Sequence, residues 1–461
     1  LTALPTRAAI GPETLGGAQA MAATPTRNST LDAALEEAKR DYAARNPASA
    51  ASHRAATAAM PGGNTRTVLF YDPFPLTFTR GQGARLWDLD GHEYVDLLGE
   101  FTAGVAGHSN PVIRRAIDVA LDGGINLGGH NTYEPRLAAA VRSRFPSMEL
   151  VRFTNSGTEA NLLAISTALA ATGRKRVMVF RGGYHGAVFV FAPGPNINAP
   201  FDFVLADYND AEGTVAAIEA HAGSLAAVIL EPMLGSGGCI PAEAGFLHAL
   251  RQVTARYGIV LIFDEVMTSR LSPGGLQAVV GVSPDLTTLG KYVGGGMSFG
   301  AFGGRADLMA RFDPRRADAL PHAGTFNNNV LTMAAGIAAL TEVYTPAAAV
   351  ALNARGDALR ARLNAVAERA GVAMQATGRG SMLAVHMMGG PIRSPADAAK
   401  GNAGARELFF FDMQRAGFWL ARRGMMALSL PLGDADCAGF VAAVEDFVAA
   451  RAPVLGQAEL S

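Results

Sequence analysis

Gly258-Ile-Val-Leu-Ile-Phe-Asp-Glu-Val266 is the stretch that decides how this chain reads. Its apolar run passes straight into Asp264 and Glu265, the pattern of a buried strand whose last residues emerge at the carboxyl edge of a sheet. Ligands collect at that edge in open α/β sheets. Lys291 then arrives in Thr288-Leu-Gly-Lys-Tyr-Val-Gly-Gly-Gly296, where glycine lets backbone approach a ligand closely. Taken singly, these residues read as a strand-end acid and a surface lysine, so their surroundings have to decide.

From about residue 110 to 335, apolar segments alternate with helical ones. Strands are expected at Leu150 to Thr154, Arg176 to Phe180, Ala226 to Glu231, Ile259 to Phe263 and Leu286 to Leu289. This alternation predicts an α/β fold, a mostly parallel sheet sandwiched by helices. Upstream, residues 30 to 45 read as a helix, Pro61-Gly62-Gly63-Asn64 as a turn, and Arg85 to Asp96 as a hairpin turning at Asp90-Gly91. Downstream, an Ala-rich helical region runs to about Ala370. Strand-like pieces follow at Ser381 to Met387 and Ala427 to Leu430, with a last helix from about Asp434. The expected organisation is a loose tail (1–28), an N-terminal segment joining the small domain (29–100), a large domain (101–335) and a smaller α+β domain (336–461).

Composition narrows the function. With 461 residues, 49% of them apolar and 17% charged, the chain has enough material for two well-packed domains. The formal net charge is -1 and there is no basic run, so electrostatic binding of nucleic acid has no support. The 2 cysteines, Cys239 and Cys437, are too few for a disulfide framework and suit a reducing cytoplasm. Neither His-x-x-x-His nor Cys-x-x-Cys spacing occurs, so no metal site is expected. No stretch reaches the roughly eighteen apolar residues of a membrane span, and no membrane partner is expected.

An acid at a strand end and an amine in a glycine-rich loop are the pair that pyridoxal 5'-phosphate needs. The amine forms a Schiff base with the aldehyde, and the carboxylate keeps the pyridine nitrogen protonated. Other segments add what the phosphate and ring require. Asn155-Ser156-Gly157-Thr158-Glu159-Ala160-Asn161 follows a strand and opens a helix, where free N–H groups attract anions and Gly157 admits a phosphate. The same Ser-x-x-Glu is also an ordinary capping box. Tyr184, held in Gly182-Gly-Tyr-His-Gly186, can stack on a flat ring or pack as a loop tyrosine. Glu231, before Pro232, can orient a cofactor hydroxyl or cap its strand. Gly324-Thr-Phe-Asn-Asn-Asn329 is expected to begin a second helix, with Thr325 a further phosphate donor. Two helix starts on one phosphate point to a contribution across a dimer interface. Arg66 stands between a Pro-Gly-Gly turn and an apolar run, though an arginine by itself reads as a solvated surface charge.

In this order the motifs resemble the class III aminotransferases of PLP fold type I, near the glutamate-1-semialdehyde aminomutase-like branch. The similarity runs from roughly residue 55 to the end. Gly63-Asn-Thr-Arg-Thr-Val-Leu-Phe70 and Arg423-Gly424…Leu428-Ser-Leu-Pro431 look like the β-phenylalanine aminotransferases. The resemblance implies a large PLP-binding domain, Lys291 as the Schiff-base lysine, Asp264 as the pyridinium partner, and Tyr184 and Val266 on the two ring faces. It implies Ser156, Gly157, Thr158 and the partner subunit's Thr325 on the phosphate of a homodimer. Arg66 would bind the substrate carboxylate and Arg423 would act as a second clamp, with Arg422 beside it as the alternative. The expected reaction is ping-pong transfer from an aromatic β-amino acid to 2-oxoglutarate or pyruvate. The rival is an aminomutase that moves an amino group within one substrate.

Overall fold

Leu225-Ala-Ala-Val-Ile-Leu230 has no polar side chain and is buried at every position, as a central strand covered on both faces must be. The computed structural model describes residues 30–456; the expected tail at 1–28 lies outside them. The strand belongs to a seven-stranded sheet in the order Leu150–Thr154, Gly300–Gly304, Leu286–Gly290, Val260–Asp264, Leu225–Leu230, Arg176–Phe180, Asp202–Ala206. All neighbours pair in parallel except Gly300–Gly304, which runs antiparallel to both of its neighbours.

Period-two alternation sorts these strands onto two cores. Met178, Phe180, Val228, Leu230, Leu261 and Phe263 face one side, against Phe246, Leu247 and Leu250 of the helix Ala244–Tyr257. Val177, Val179, Ala227, Ile229, Val260 and Ile262 face the other, against Ala160, Ala164, Ile165 and Ala168 of the helix Gly157–Thr172. The α/β sandwich expected from the sequence is therefore present.

The two ends of the chain meet in a second region. Phe78–Gln82, Arg85–Asp88 and Glu93–Asp96 form an antiparallel meander, and Phe418–Trp419 joins it parallel to Glu93–Asp96. A three-stranded sheet of Gln375–Arg379, Met382–His386 and Met425–Ala427 lies downstream, with the helices Pro346–Ala370 and Asp434–Leu455 contributing to the shared core.

Three expectations need correction. Asp202–Ala206 and Gly300–Gly304 are strands that the sequence did not announce: one lies at the sheet edge, and the other is Gly-Ala-Phe-Gly-Gly, poor in strand-forming residues. The Ala-rich region is two helices, because Thr345 caps a new start and Pro346 occupies its first turn. The expected strand Ala427 to Leu430 is displaced to Met425–Ala427, since the Leu430 N–H turns away to the Val105 carbonyl. Among the described residues no single helix is long and apolar enough to cross a membrane.

Candidate active site

The expected site residues converge on the carboxyl edge of the parallel strands. Asp264 ends Val260–Asp264, Lys291 follows Leu286–Gly290, Glu231 follows Leu225–Leu230, and Tyr184 lies in the loop after Arg176–Phe180. Ser156 follows Leu150–Thr154 and caps the helix Gly157–Thr172 by accepting the Glu159 N–H at 3.1 Å. The capping role is thus real, and it leaves the hydroxyl hydrogen free to donate. Thr158 Oγ1 accepts the Ala187 N–H at 3.2 Å and is likewise left with its own hydrogen.

Asp264 is buried and held from several sides. Asn161 Nδ2 donates to its Oδ2 at 2.8 Å, His185 Nδ1 lies 2.8 Å from the same oxygen, and the Val266 N–H reaches Oδ1 at 3.0 Å. Thr288 in turn donates to Asn161 Oδ1 at 2.7 Å, which fixes the amide's orientation. Asn161 and His185 hold this acid, and sequence reasoning passed over both. Both stood inside quoted motifs, and an Asn and a His facing a buried acid was the available signal.

Lys291 has a left-handed backbone, φ +54, at the start of the short turn Lys291–Gly294. The residue is half-buried, and burial first, then the Arg66 charge, brings its pKa down to about 8 against the opposing pull of Asp264 and Glu100. Glu231 is buried, and burial pushes its carboxyl up to about 7. Its two oxygens accept the N–H groups of Tyr184 at 3.1 Å and Gly235 at 2.9 Å, so it fixes the tyrosine loop. Tyr184 remains 42% exposed, open to a stacking partner. Val266 is half-buried beside the helix start, where a Cβ on Gly157 would come within 2.9 Å of its Cγ2.

Arg66 and Arg423 come from opposite ends of the chain, yet each guanidinium carbon lies 5.2 Å from the ring centroid of Phe101. Arg423 is half-buried, and burial lowers its pKa. Its nearest polar contact is the Met425 sulfur at 3.2 Å, its Nε is buried without a partner, and among the described residues it has no ion pair. Arg422, beside it, is exposed, and both arginines line the same cavity. Thr325 does not begin a helix. It lies in an exposed turn, and the helix starts at Val330 with Asn329 as its cap. Glycine, threonine and three asparagines favour a turn before the cap instead of a helical first turn.

The arrangement fits pyridoxal phosphate. A fixed buried acid faces the same space as a lysine amine, and a 16-residue helix begins beside them with a glycine in its first turn. The aminotransferase class-III family model matches residues 70–431. The chain belongs to the class-III aminotransferases. It is a PLP-dependent aminotransferase of fold type I. It is 53% identical over 432 residues to the β-phenylalanine transaminase of Variovorax paradoxus, covering 94% of this chain and 99% of that one. The crystal structure of a β-phenylalanine aminotransferase from Variovorax paradoxus superposes with a TM-score of 0.92 at 53% identity, covering 93% of this chain and 100% of that one. The glutamate-1-semialdehyde 2,1-aminomutase of Sorangium cellulosum is more distant, 38% identical over 394 residues, covering 81% of this chain and 90% of that one.

Proposed function

We propose that this aminotransferase moves the amino group of an aromatic β-amino acid to a 2-oxo acid, 2-oxoglutarate or pyruvate, in two half-reactions. The donor leaves as the 3-oxo acid and the acceptor leaves as the α-amino acid. The observation that carries the substrate class is the pair of guanidinium groups over Phe101, one of them lacking any ion pair among the described residues. The name of the 53%-identical relative supports the same reading. Leu69, Leu98, Phe101 and Trp419 line a cavity of about 200 Å³ that also touches Arg423, so apolar walls stand where an aromatic side chain needs them.

When bound, pyridoxal phosphate supplies an aldehyde that bonds to amines and a ring that accepts the electron pair left on a deprotonated substrate carbon. In this reading Lys291 holds the cofactor through its amine. The lysine amine, when not bonded to the cofactor, would take up and return the proton at the substrate carbon. An amine with a pKa near 8 is poised for both proton uptake and release near neutral pH. Asp264 would hold the proton on the ring nitrogen, with Asn161 and His185 keeping the carboxylate in place. Tyr184 and Val266 would flank the cofactor ring, while Glu231 steadies the Tyr184 loop. Ser156, Gly157, Thr158 and the partner subunit's Thr325 hold the phosphate, which makes the working unit a homodimer. Arg66 binds the donor's carboxylate. Arg423 receives the second carboxylate of 2-oxoglutarate and turns aside for an aromatic side chain, since an unpaired guanidinium against an apolar group is costly.

We also propose that residues 101–335 form the large cofactor-binding domain, and that 29–100 and 336–461 together form the small one. The buried free cysteines Cys239 and Cys437 are in keeping with a cytoplasmic setting. The test is a panel of α-, β- and ω-amino acids and carboxylate-free amines, each assayed with 2-oxoglutarate or pyruvate. Fastest turnover is expected with an aromatic β-amino acid, and none without a 2-oxo acid. Turnover of a single substrate with no acceptor present would replace this reading with an aminomutase.

A further inference from the structure

Arg66 already holds a carboxylate. Its Nη1 lies 2.7 Å from Oε1 of Glu100, and the two side chains are 45% and 56% exposed. Glu100 sits on a backbone that few residues adopt. Gly99, Glu100, Phe101 and Thr102 run through φ values of 53, 47, 52 and 82, and only the first is glycine. Left-handed runs of ordinary residues persist only where their surroundings over-determine them. Here Asp96 Oδ1 accepts the N–H groups of Leu98 and Gly99 at 2.9 and 3.0 Å, and the Gly104 N–H closes onto the Gly99 carbonyl at 2.9 Å. From beneath, the buried Arg270 guanidinium donates to the Thr102 carbonyl at 3.5 Å. A Cβ at Gly99 would collide with the Ala427 carbonyl oxygen, so the turn is pressed against the strand that follows Arg423. The outcome is a Phe101 ring placed beside both guanidinium groups and a Glu100 carboxylate placed on one of them.

We propose that Glu100 is a specificity-determining residue, an internal carboxylate that occupies Arg66 in the resting enzyme and is exchanged for the carboxylate of the substrate. This rests on Arg66 being the group that binds the donor's carboxylate. The exchange replaces one anion on the guanidinium by another, so a carboxylate substrate gains only the difference between two similar pairs. An amine without a carboxylate has nothing to exchange and leaves the pair intact. A substrate anion that approached while Glu100 stayed in place would meet like charge. Arg423, in contrast, has no carboxylate on it among the described residues, so the two guanidinium groups are unequal: one is masked from within, the other is open.

The test is binding of 3-phenylpropionate, an unreactive carboxylate, to the holoenzyme, read from the cofactor absorbance. Half-exposed ion pairs are weak, so Glu100→Gln is expected to tighten binding by about two- to fivefold, and Glu100→Ala by at least as much. Arg66→Ala should weaken it by roughly ten- to a hundredfold, and adding Glu100→Gln to Arg66→Ala should change nothing further. In Glu100→Gln the KM for a β-amino acid should fall, while the KM for α-methylbenzylamine, which has no carboxylate, should not move. Added salt should narrow the gap between wild type and variant. Binding that is unchanged or weaker in Glu100→Gln, with Arg66→Ala impaired, would overturn the proposal and leave Glu100 as a brace for Arg66. Wild-type binding in Arg66→Ala would instead overturn the assignment of Arg66 itself, and with it the proposal.

Discussion

His185 Nδ1 stands 2.8 Å from Asp264 Oδ2, and both side chains are almost fully buried. The contact makes Asp264 a carboxylate with little freedom to turn, since Asn161 shares the same oxygen and the Val266 N–H takes the other. An acid held in this way presents one fixed edge to whatever lies above it.

Asp264→Ala should therefore fold and bind cofactor through the phosphate site, yet lose at least about a hundredfold in kcat, equivalent to roughly 2.7 kcal/mol of barrier. Asn161→Ala should show a smaller loss of the same kind, because the carboxylate stays but its orientation loosens. Single-turnover rates on the two variants measure this. Wild-type rates in Asp264→Ala would reduce the residue to a strand cap.

Lys291 should carry the cofactor. Borohydride treatment of the yellow holoenzyme should abolish the absorbance band, and peptide mapping should find the reduced cofactor on Lys291 alone. Lys291→Ala should have no measurable turnover while still binding cofactor non-covalently. Label on any other lysine would displace the whole site.

The lysine also makes a prediction about pH in cofactor-free enzyme. Its pKa is about 8 in the fold, against an ordinary value of 10.5. Between those values the unfolded chain binds more protons than the folded one, so stability rises with pH across that window. Below about pH 8 the fold bears the full cost of a charged buried amine, at most about 3 kcal/mol. Apo Lys291→Met should accordingly be more stable than apo wild type at pH 7, and the difference should shrink as pH rises towards 10.5. Urea denaturation at several pH values would check it, and a constant difference would show that burial does not act on this amine.

Arg66→Ala and Arg423→Ala should damage different halves of the reaction. Removing a charge-assisted pair with a bound carboxylate costs roughly 1.5–3 kcal/mol, about one to two orders of magnitude in kcat/KM. Arg66→Ala should weaken the β-amino acid half-reaction, and Arg423→Ala should harm the 2-oxoglutarate half-reaction more than the β-amino acid one. Stopped-flow measurement of each half separates them. Equal losses in both halves for Arg423→Ala would refute the division of labour.

The sequence located the residues at the strand ends more fully than those around Arg66 and Arg423, for a physical reason. Asp264 ends and Glu231 follows an unbroken apolar run, and such runs locate the sheet edge almost by themselves. Lys291 follows Leu-Thr-Thr-Leu-Gly and was marked by its glycine-rich loop. The strand Gly300–Gly304 stayed hidden because glycine there serves close packing, not strand propensity. The Arg66–Glu100 pair was equally hidden. It depends on a left-handed turn of ordinary residues, and no pattern of side chains announces that backbone. Thr325 misled because a Gly-Thr start followed by asparagines reads as a cap, whereas Asn329 is the residue that caps.

The glycine strand has one more consequence. A Cβ on Gly300 would run into the Ser156 carbonyl oxygen and the Thr154 hydroxyl, so the helix start at Gly157, the proposed phosphate site, is moulded against bare backbone. The wall around Arg66, Phe101 and Arg423 is made of side chains on turns and strand ends instead. Inheritance can therefore treat the two unequally. A lineage can try new residues on the outer wall one at a time while the mould behind the helix admits almost none. In a mutagenesis library, variants that change amine preference should accumulate on the first surface, and those at Gly300 should be lost at the stage of soluble, coloured protein.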